Sequence, residues 1–148
     1  MRARMLVGLA VAAVAVFATA YAADEIKVEG IKCVVAATKD AKAANAVDYK
    51  GGKVFFCCMN CPKGFAADTA KYAAKANHQL AATKQAKQVA CPLSGEAVDA
   101  SKTVKIEGVE VAFCCDMCKG KTEASKDQVT LIFADKTFDK AFKVGEKK

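Results

Sequence analysis

Eight cysteines in 148 residues are the side chains with the most chemistry to offer. They fall in two sets of four: Cys33, Cys57, Cys58 and Cys61, then Cys91, Cys114, Cys115 and Cys118. In each set a lone cysteine precedes a Cys-Cys-x-x-Cys cluster, by 24 residues in the first and 23 in the second. Thiolates are soft donors that suit zinc and copper(I). The cluster supplies two ligands close together, and the distant cysteine closes a loop of roughly 20 residues onto them. Cys33, Cys57 and Cys61 are therefore candidate ligands of one ion, and Cys91, Cys114 and Cys118 of another. Cys58 and Cys115 are auxiliary thiols. A structural zinc site wants four ligands, and an auxiliary thiol, a carboxylate or water would complete it. Adjacent residues of a strand point to opposite faces. Cys57 and Cys58 share an ion only where the strand has ended and the chain bends. Met59 and Met117 lie inside the clusters. As thioether donors they tilt the choice toward copper(I). The blander reading, that they fill gaps in a small core, is the stronger of the two.

Two other chemistries use the same sulfurs. An even cysteine count in a small exported chain suits a disulfide framework. Adjacent cysteines, however, are poorly placed for two separate unstrained bridges. Cys58-x-x-Cys61 and Cys115-x-x-Cys118 also have the spacing of thiol–disulfide oxidoreductases. Such enzymes place the first cysteine at a helix N-terminus in a βαβ setting, and no βαβ unit is visible. His78, the sole histidine, reads as a surface or half-buried helix residue, and Asp116 as an exposed turn acid. There is no Ser-His-Asp set, no phosphate-cradling glycine loop and no obligate carboxylate pair. Nothing argues for hydrolysis or group transfer, and the expectation is a binding protein, not an enzyme.

The elements that must position these thiols are also written twice. Val47 to Cys58 lines up with Val104 to Cys115, matching Val54 with Val111 and Phe56 with Phe113. Period-2 alternation around a glycine turn predicts a β-hairpin in each copy. Glu107-Gly108 turns the second, and Gly51-Gly52 the first. Each return strand delivers its cysteine pair at its end. After Cys61, Pro62 opens an Ala- and Lys-rich segment with Phe65 one turn in. Asp68 is a predicted N-cap for a helix to about Leu80, with Tyr72, Ala76 and Leu80 on one stripe. Residues 83–87 lack an apolar period and read as a linker. In the second copy, residues 119–126 are polar, Val129 to Phe133 reads as a strand, and Asp135 as the cap of a short helix carrying Phe138 and Phe142.

With these residues in place, the spacing resembles the metal-binding motif of the YHS and TRASH domain families. Cys91-Pro92-Leu93-Ser94-Gly95 is similar to their Cys-Pro-x-Ser-Gly opening, and Phe56-Cys57-Cys58-Met59-Asn60-Cys61 with Phe65 and Tyr72 to their core. The first copy departs from this in Cys33-Val34-Val35-Ala36, and the second lacks the downstream Phe and Tyr. The resemblance implies small α+β architecture: two tandem treble-clef-like modules, each a β-hairpin, a cysteine knuckle and a short helix. It also implies heavy-metal sensing, trafficking or resistance. The expected modules span residues 23–83 and 84–148.

Residues 1–22 read as a secretory signal peptide: a basic start at Arg2 and Arg4, an apolar run from Met5 to Ala18, and A-x-A steps ending at Ala20 and Ala22. The run is shorter than the roughly 20 residues a bilayer span requires. The expectation is a periplasmic or secreted chain with no stable membrane insertion after cleavage. Cleavage removes both arginines and leaves 21 Lys against 16 acidic residues, a net charge of +5. Without arginine, the bidentate contacts of specific nucleic-acid binders are not available, so no nucleic-acid partner is expected. Units of about 60 residues bury little core and often need a metal or disulfides.

Overall fold

A computed structural model describes residues 26–145. The signal-peptide reading of residues 1–22 lies outside the described residues. The chain is small mixed α+β, ordered β1 (Lys42–Tyr49), β2 (Gly52–Phe56), α1 (Cys61–Ala67), α2 (Thr69–Ala82), β3 (Ala86–Gln88), β4 (Asp99–Ile106), β5 (Val109–Phe113), α3 (Asp116–Glu123), α4 (Gln128–Phe133), α5 (Asp135–Ala141) and β6 (Phe142–Val144). The strands pair antiparallel as β1–β2, β4–β5 and β3–β6. Each half has the expected hairpin, cysteine turn and short helix.

The two hairpins match in detail. Tyr49 pairs with Gly52 around Lys50-Gly51, and Ile106 with Val109 around Glu107-Gly108. All four loop residues have positive φ, the signature of a two-residue type I′ turn whose twist suits the flanking strands. The first turn is thus one residue earlier than the sequence suggested. Gly52 is in the strand, and a Cβ there would meet Leu80 Cδ2 at 2.7 Å, Gln85 Oε1 at 3.0 Å and Val144 Cγ1 at 3.1 Å. The irregularity between Lys42 and Ala46 recurs between Asp99 and Thr103, so even the bulge is duplicated.

Asp68 caps α2 as expected, accepting a hydrogen bond from the Lys71 N–H at 3.1 Å. Ala76 and Leu80 are fully buried, and Tyr72 packs against the same core. Phe65 stacks edge-on to Tyr49 at 5.4 Å and lies 5.5 Å from Phe56. Several expectations fail. Val129 to Phe133 is helical, not a strand. Asp127 caps it by accepting from the Thr130 N–H at 2.9 Å, and Ile132 and Phe133 turn into the core against α2. A lone strand would leave its backbone groups unpaired, which tertiary packing overrides here. Part of the expected linker is strand, since Ala86–Gln88 pairs with β6. Asp135 is the first helical residue after an Ala134 cap, and α5 ends at Ala141, leaving Phe142 in β6. The polar segment from Lys119 is mostly helix α3.

Both halves contribute to one buried core. Val54, Phe56, Phe65 and Leu80 of the first meet Val111, Phe113, Phe133 and Phe142 of the second. Phe138 and Phe142 stack at 5.0 Å with rings 9° apart. A polar tie reinforces the join: Lys50 Nζ lies 2.8 Å from Asp135 and 2.6 Å from Asp139, and Asn77 Nδ2 donates to Asp135 at 2.9 Å. Among the described residues, no helix is long and apolar enough to cross a membrane.

Candidate metal centres

Phe56 and Phe113, each immediately before a cysteine doublet, are fully buried. Burying such a side chain contributes about 1.5–3 kcal/mol, so the strand ends are anchored firmly. The strands stop there. Cys57-Cys58 and Cys114-Cys115 sit in bends, and helices begin at Cys61 and Asp116. The condition under which a doublet turns both thiols toward one region is met.

The sulfurs of Cys33, Cys57 and Cys61 all lie within 4.8 Å of one another, and those of Cys91, Cys114 and Cys118 do the same. Cys57 and Cys61 are 3.5 Å apart, and Cys114 and Cys118 3.8 Å. Four thiolates at a zinc–sulfur distance of about 2.3 Å stand about 3.8 Å apart along a tetrahedral edge. A three-coordinate copper(I) at similar bond length separates its sulfurs by about 4 Å. The triads have this spacing, and all eight cysteines are free thiols. Either triad can hold a metal ion. Cys58 lies outside the first triad, though its sulfur is 3.5 Å from that of Cys61. Cys115 lies outside the second, 3.6 Å from Cys114.

The lone cysteines are deeply buried, Cys33 at 1% exposure and Cys91 at 0%. Burial alone would raise their pKa. Backbone N–H groups of Ala36, Cys57 and Val35 outweigh it and hold Cys33 below the ordinary thiol value. For Cys91, burial is outweighed by the Ser94 hydroxyl and the N–H groups of Ser94, Cys114 and Leu93, which hold it at about 6. Burial, with neighbouring thiols, instead pushes Cys61 and Cys118 up to about 12. Each triad thus combines one sulfur predisposed to be thiolate with one that gives up its proton only to a strong cation. In the second centre the Ser94 hydroxyl is also 3.2 Å from the Cys114 sulfur, a contact that Ala36 cannot supply in the first.

The residues that hold the arms of each triad together were not legible in the sequence. Gln79 on α2 is buried, and its amide accepts from the Phe55 N–H at 2.6 Å and donates to the Phe55 carbonyl at 2.9 Å. It also donates to the Lys32 carbonyl at 2.9 Å. Gln88 on β3 does the same in the second half. It accepts from the Ala112 N–H at 2.9 Å and donates to the carbonyls of Ala112 at 2.7 Å and Ala90 at 2.9 Å. In both halves one glutamine clamps the residue before the lone cysteine to the residue two before the doublet. Gln79 follows its hairpin in the chain, whereas Gln88 precedes its own. The constellation is shared, but the sequence positions are not equivalent, and no motif search would pair them.

The remaining candidates resolve clearly. His78 is half-buried. It donates from Nε2 to the Ile106 carbonyl at 3.2 Å and packs edge-on to Phe133 at 5.0 Å, and burial lowers its pKa. It lines a cleft of ≈ 420 Å³ with Lys75, Gln79 and Glu107 and belongs to neither triad. Asp116 is exposed and ion-paired with Lys102 at 2.8 Å. Met59 and Met117 fill no gap: they are 71% and 82% exposed. Met59 lies in the turn before α1 and Met117 in the first turn of α3, and both side chains face solvent. Among the described residues the sheets are antiparallel pairs, not the parallel βαβ setting of dithiol oxidoreductases. No family model, curated protein or solved structure matches the chain.

Proposed function

We propose that this is an exported protein that binds a soft transition metal, zinc or copper(I), at two centres and takes part in heavy-metal handling. The observation that carries the reading is the convergence of Cys33, Cys57 and Cys61, and again of Cys91, Cys114 and Cys118, within 4.8 Å of one another. Sequence positions 24 residues apart do not meet at metal-ligand spacing without a fold that brings them there. The resemblance to YHS and TRASH modules, and the signal-peptide pattern of residues 1–22, support the role and the export. The mechanism is coordination without turnover: thiols exchange protons for the ion. Cys58 and Cys115 act as auxiliary thiols.

Elemental analysis of the protein purified from its own envelope tests this, paired with a thiol count before and after a chelator. Metal at one to two ions per chain, with eight thiols reactive once it is stripped, supports the reading. Little metal, and thiols that react only after a reductant, would establish a disulfide-stapled structural module instead. N-terminal sequencing of the same material tests cleavage after Ala20 or Ala22.

A further inference from the structure

Both cysteine clusters carry soft donors that the triads do not use. Cys58 is exposed with its sulfur 3.5 Å from Cys61, and Cys115 is half-buried with its sulfur 3.6 Å from Cys114. Met59 follows Cys58 in the chain, and Met117 comes two residues after Cys115. The chain has four methionines, of which only these two lie in the described residues, and they are the most exposed large hydrophobic side chains there. Aligning the two copies matches Cys57 with Cys114, so that Met59 corresponds to Asp116 and Met117 to Asn60. Met59 lies in the turn before α1 and Met117 in the first turn of α3, so each cluster carries its methionine at its own position, which simple copying of one module would not produce. A methionine in water contributes no packing. What distinguishes it is a soft thioether that never needs to lose a proton. Thioethers select copper(I), whereas zinc takes thiolate, imidazole and carboxylate.

We propose that Cys58 with Met59, and Cys115 with Met117, form an exchange face through which copper(I) enters and leaves the two triads. The proposal rests on the reading that the triads bind a soft metal, and it names that metal and its route. In loading, a copper(I) ion carried by an external thiol is first taken by the Met59 thioether and the Cys58 thiolate, whose proton passes to solvent. The carrier's sulfur departs with a proton. Bonds from Cys57, Cys61 and Cys33 then form as those to Met59 and Cys58 break. The triad thiols release their protons to water, and Cys58 regains one. Copper stays in the +1 state throughout, so no oxidant or reductant is needed. Release follows the same steps in reverse, and the second centre works likewise through Cys115 and Met117.

The test uses the full mature chain, loaded anaerobically with copper(I) and mixed by stopped flow with a chromophoric copper(I) chelator. The comparison is a variant carrying C58S, M59L, C115S and M117L. Met59 and Met117 are exposed, so M59L and M117L alone form a second variant with minimal effect on folding. The fourfold variant is expected to hold two copper ions per chain, as wild type does, and to release them at least about tenfold more slowly. The Met→Leu variant falls between the two. Wild-type release rates in the fourfold variant would overturn the proposal. So would loss of copper stoichiometry, which would make Cys58 and Cys115 permanent ligands. Wild-type protein that holds zinc but no copper(I) overturns this inference alone, whereas wild type that takes up neither overturns the metal-binding reading itself.

Discussion

Replacing Gln79 with alanine isolates the clamp that joins the arms of the first centre. The change removes three hydrogen bonds of 2.6–2.9 Å and orphans the N–H and carbonyl of Phe55, a residue only 3% exposed. Each buried backbone group left unpaired costs about 1–3 kcal/mol, and partial entry of water trims the total to about 2–4 kcal/mol. For a chain of this size that is a fall of roughly 10 °C in melting midpoint. Gln85 supplies an internal control. Its amide pairs in the same way with the N–H and carbonyl of Lys53, both at 2.7 Å, on the same strand two residues before Phe55, but Lys53 is exposed. Gln85→Ala should cost under about 1 kcal/mol, because water replaces the lost partners. Urea denaturation of the metal-free chains gives the stabilities. Metal affinity is then read by chelator competition in chains with one triad silenced by Cys→Ser changes. Gln79→Ala should weaken the first centre by about 10–100-fold, the range seen when groups that orient ligands are lost, and leave the second unchanged. Gln88→Ala should do the reverse. If both variants weakened both centres equally, or lost stability with no change in affinity, the glutamines would be edge caps of the sheet and not positioning residues.

Metal affinity at each centre should fall at least about tenfold per pH unit between pH 8 and 6, because Cys61 and Cys118, pushed up to about 12, must each surrender a proton to the ion; chelator competition across that range checks it, and a flat profile would refute ligation by these thiols. Burial acts to raise the Asp135 pKa, but Lys50, Asn77 and Tyr49 outweigh it and hold the carboxyl below the ordinary value. Its contribution is therefore complete above the unfolded value near 4 and is lost as pH falls through the lowered folded value. Since Asp135 is half exposed, Asp135→Asn should cost only about 0.5–1 kcal/mol at pH 7, and in urea melts of the metal-free protein the difference between wild type and variant should shrink as pH falls below the ordinary carboxylate range. Gly52→Ala should destabilise by about 1–3 kcal/mol, since the new methyl group meets Leu80 at 2.7 Å; an unchanged urea midpoint would show that α2 yields freely there.

The sequence by itself determined the local chemistry. Cysteine spacing named the six triad members, because few uses fit a lone thiol and a doublet at a fixed separation. Alternation around Glu107-Gly108 set one hairpin, and the duplication carried that reading to its twin. Asp68 was legible as a cap because capping depends on a residue and its next three neighbours. What depended on distant partners was not legible. The Val129 to Phe133 run has strand-like composition, yet α2 and the core made it a helix. Met59 and Met117 looked like core material by hydrophobicity alone, and only the fold, with one in the turn before α1 and the other on the outer side of α3, left them in water. Gln79 and Gln88 carry no local signal, since an amide becomes a clamp only when folding sets it beside a strand edge. Short-range patterns specify short-range geometry. Which side chains close the two cysteine centres, and which stay open to solvent, was decided by contacts between residues far apart in the chain.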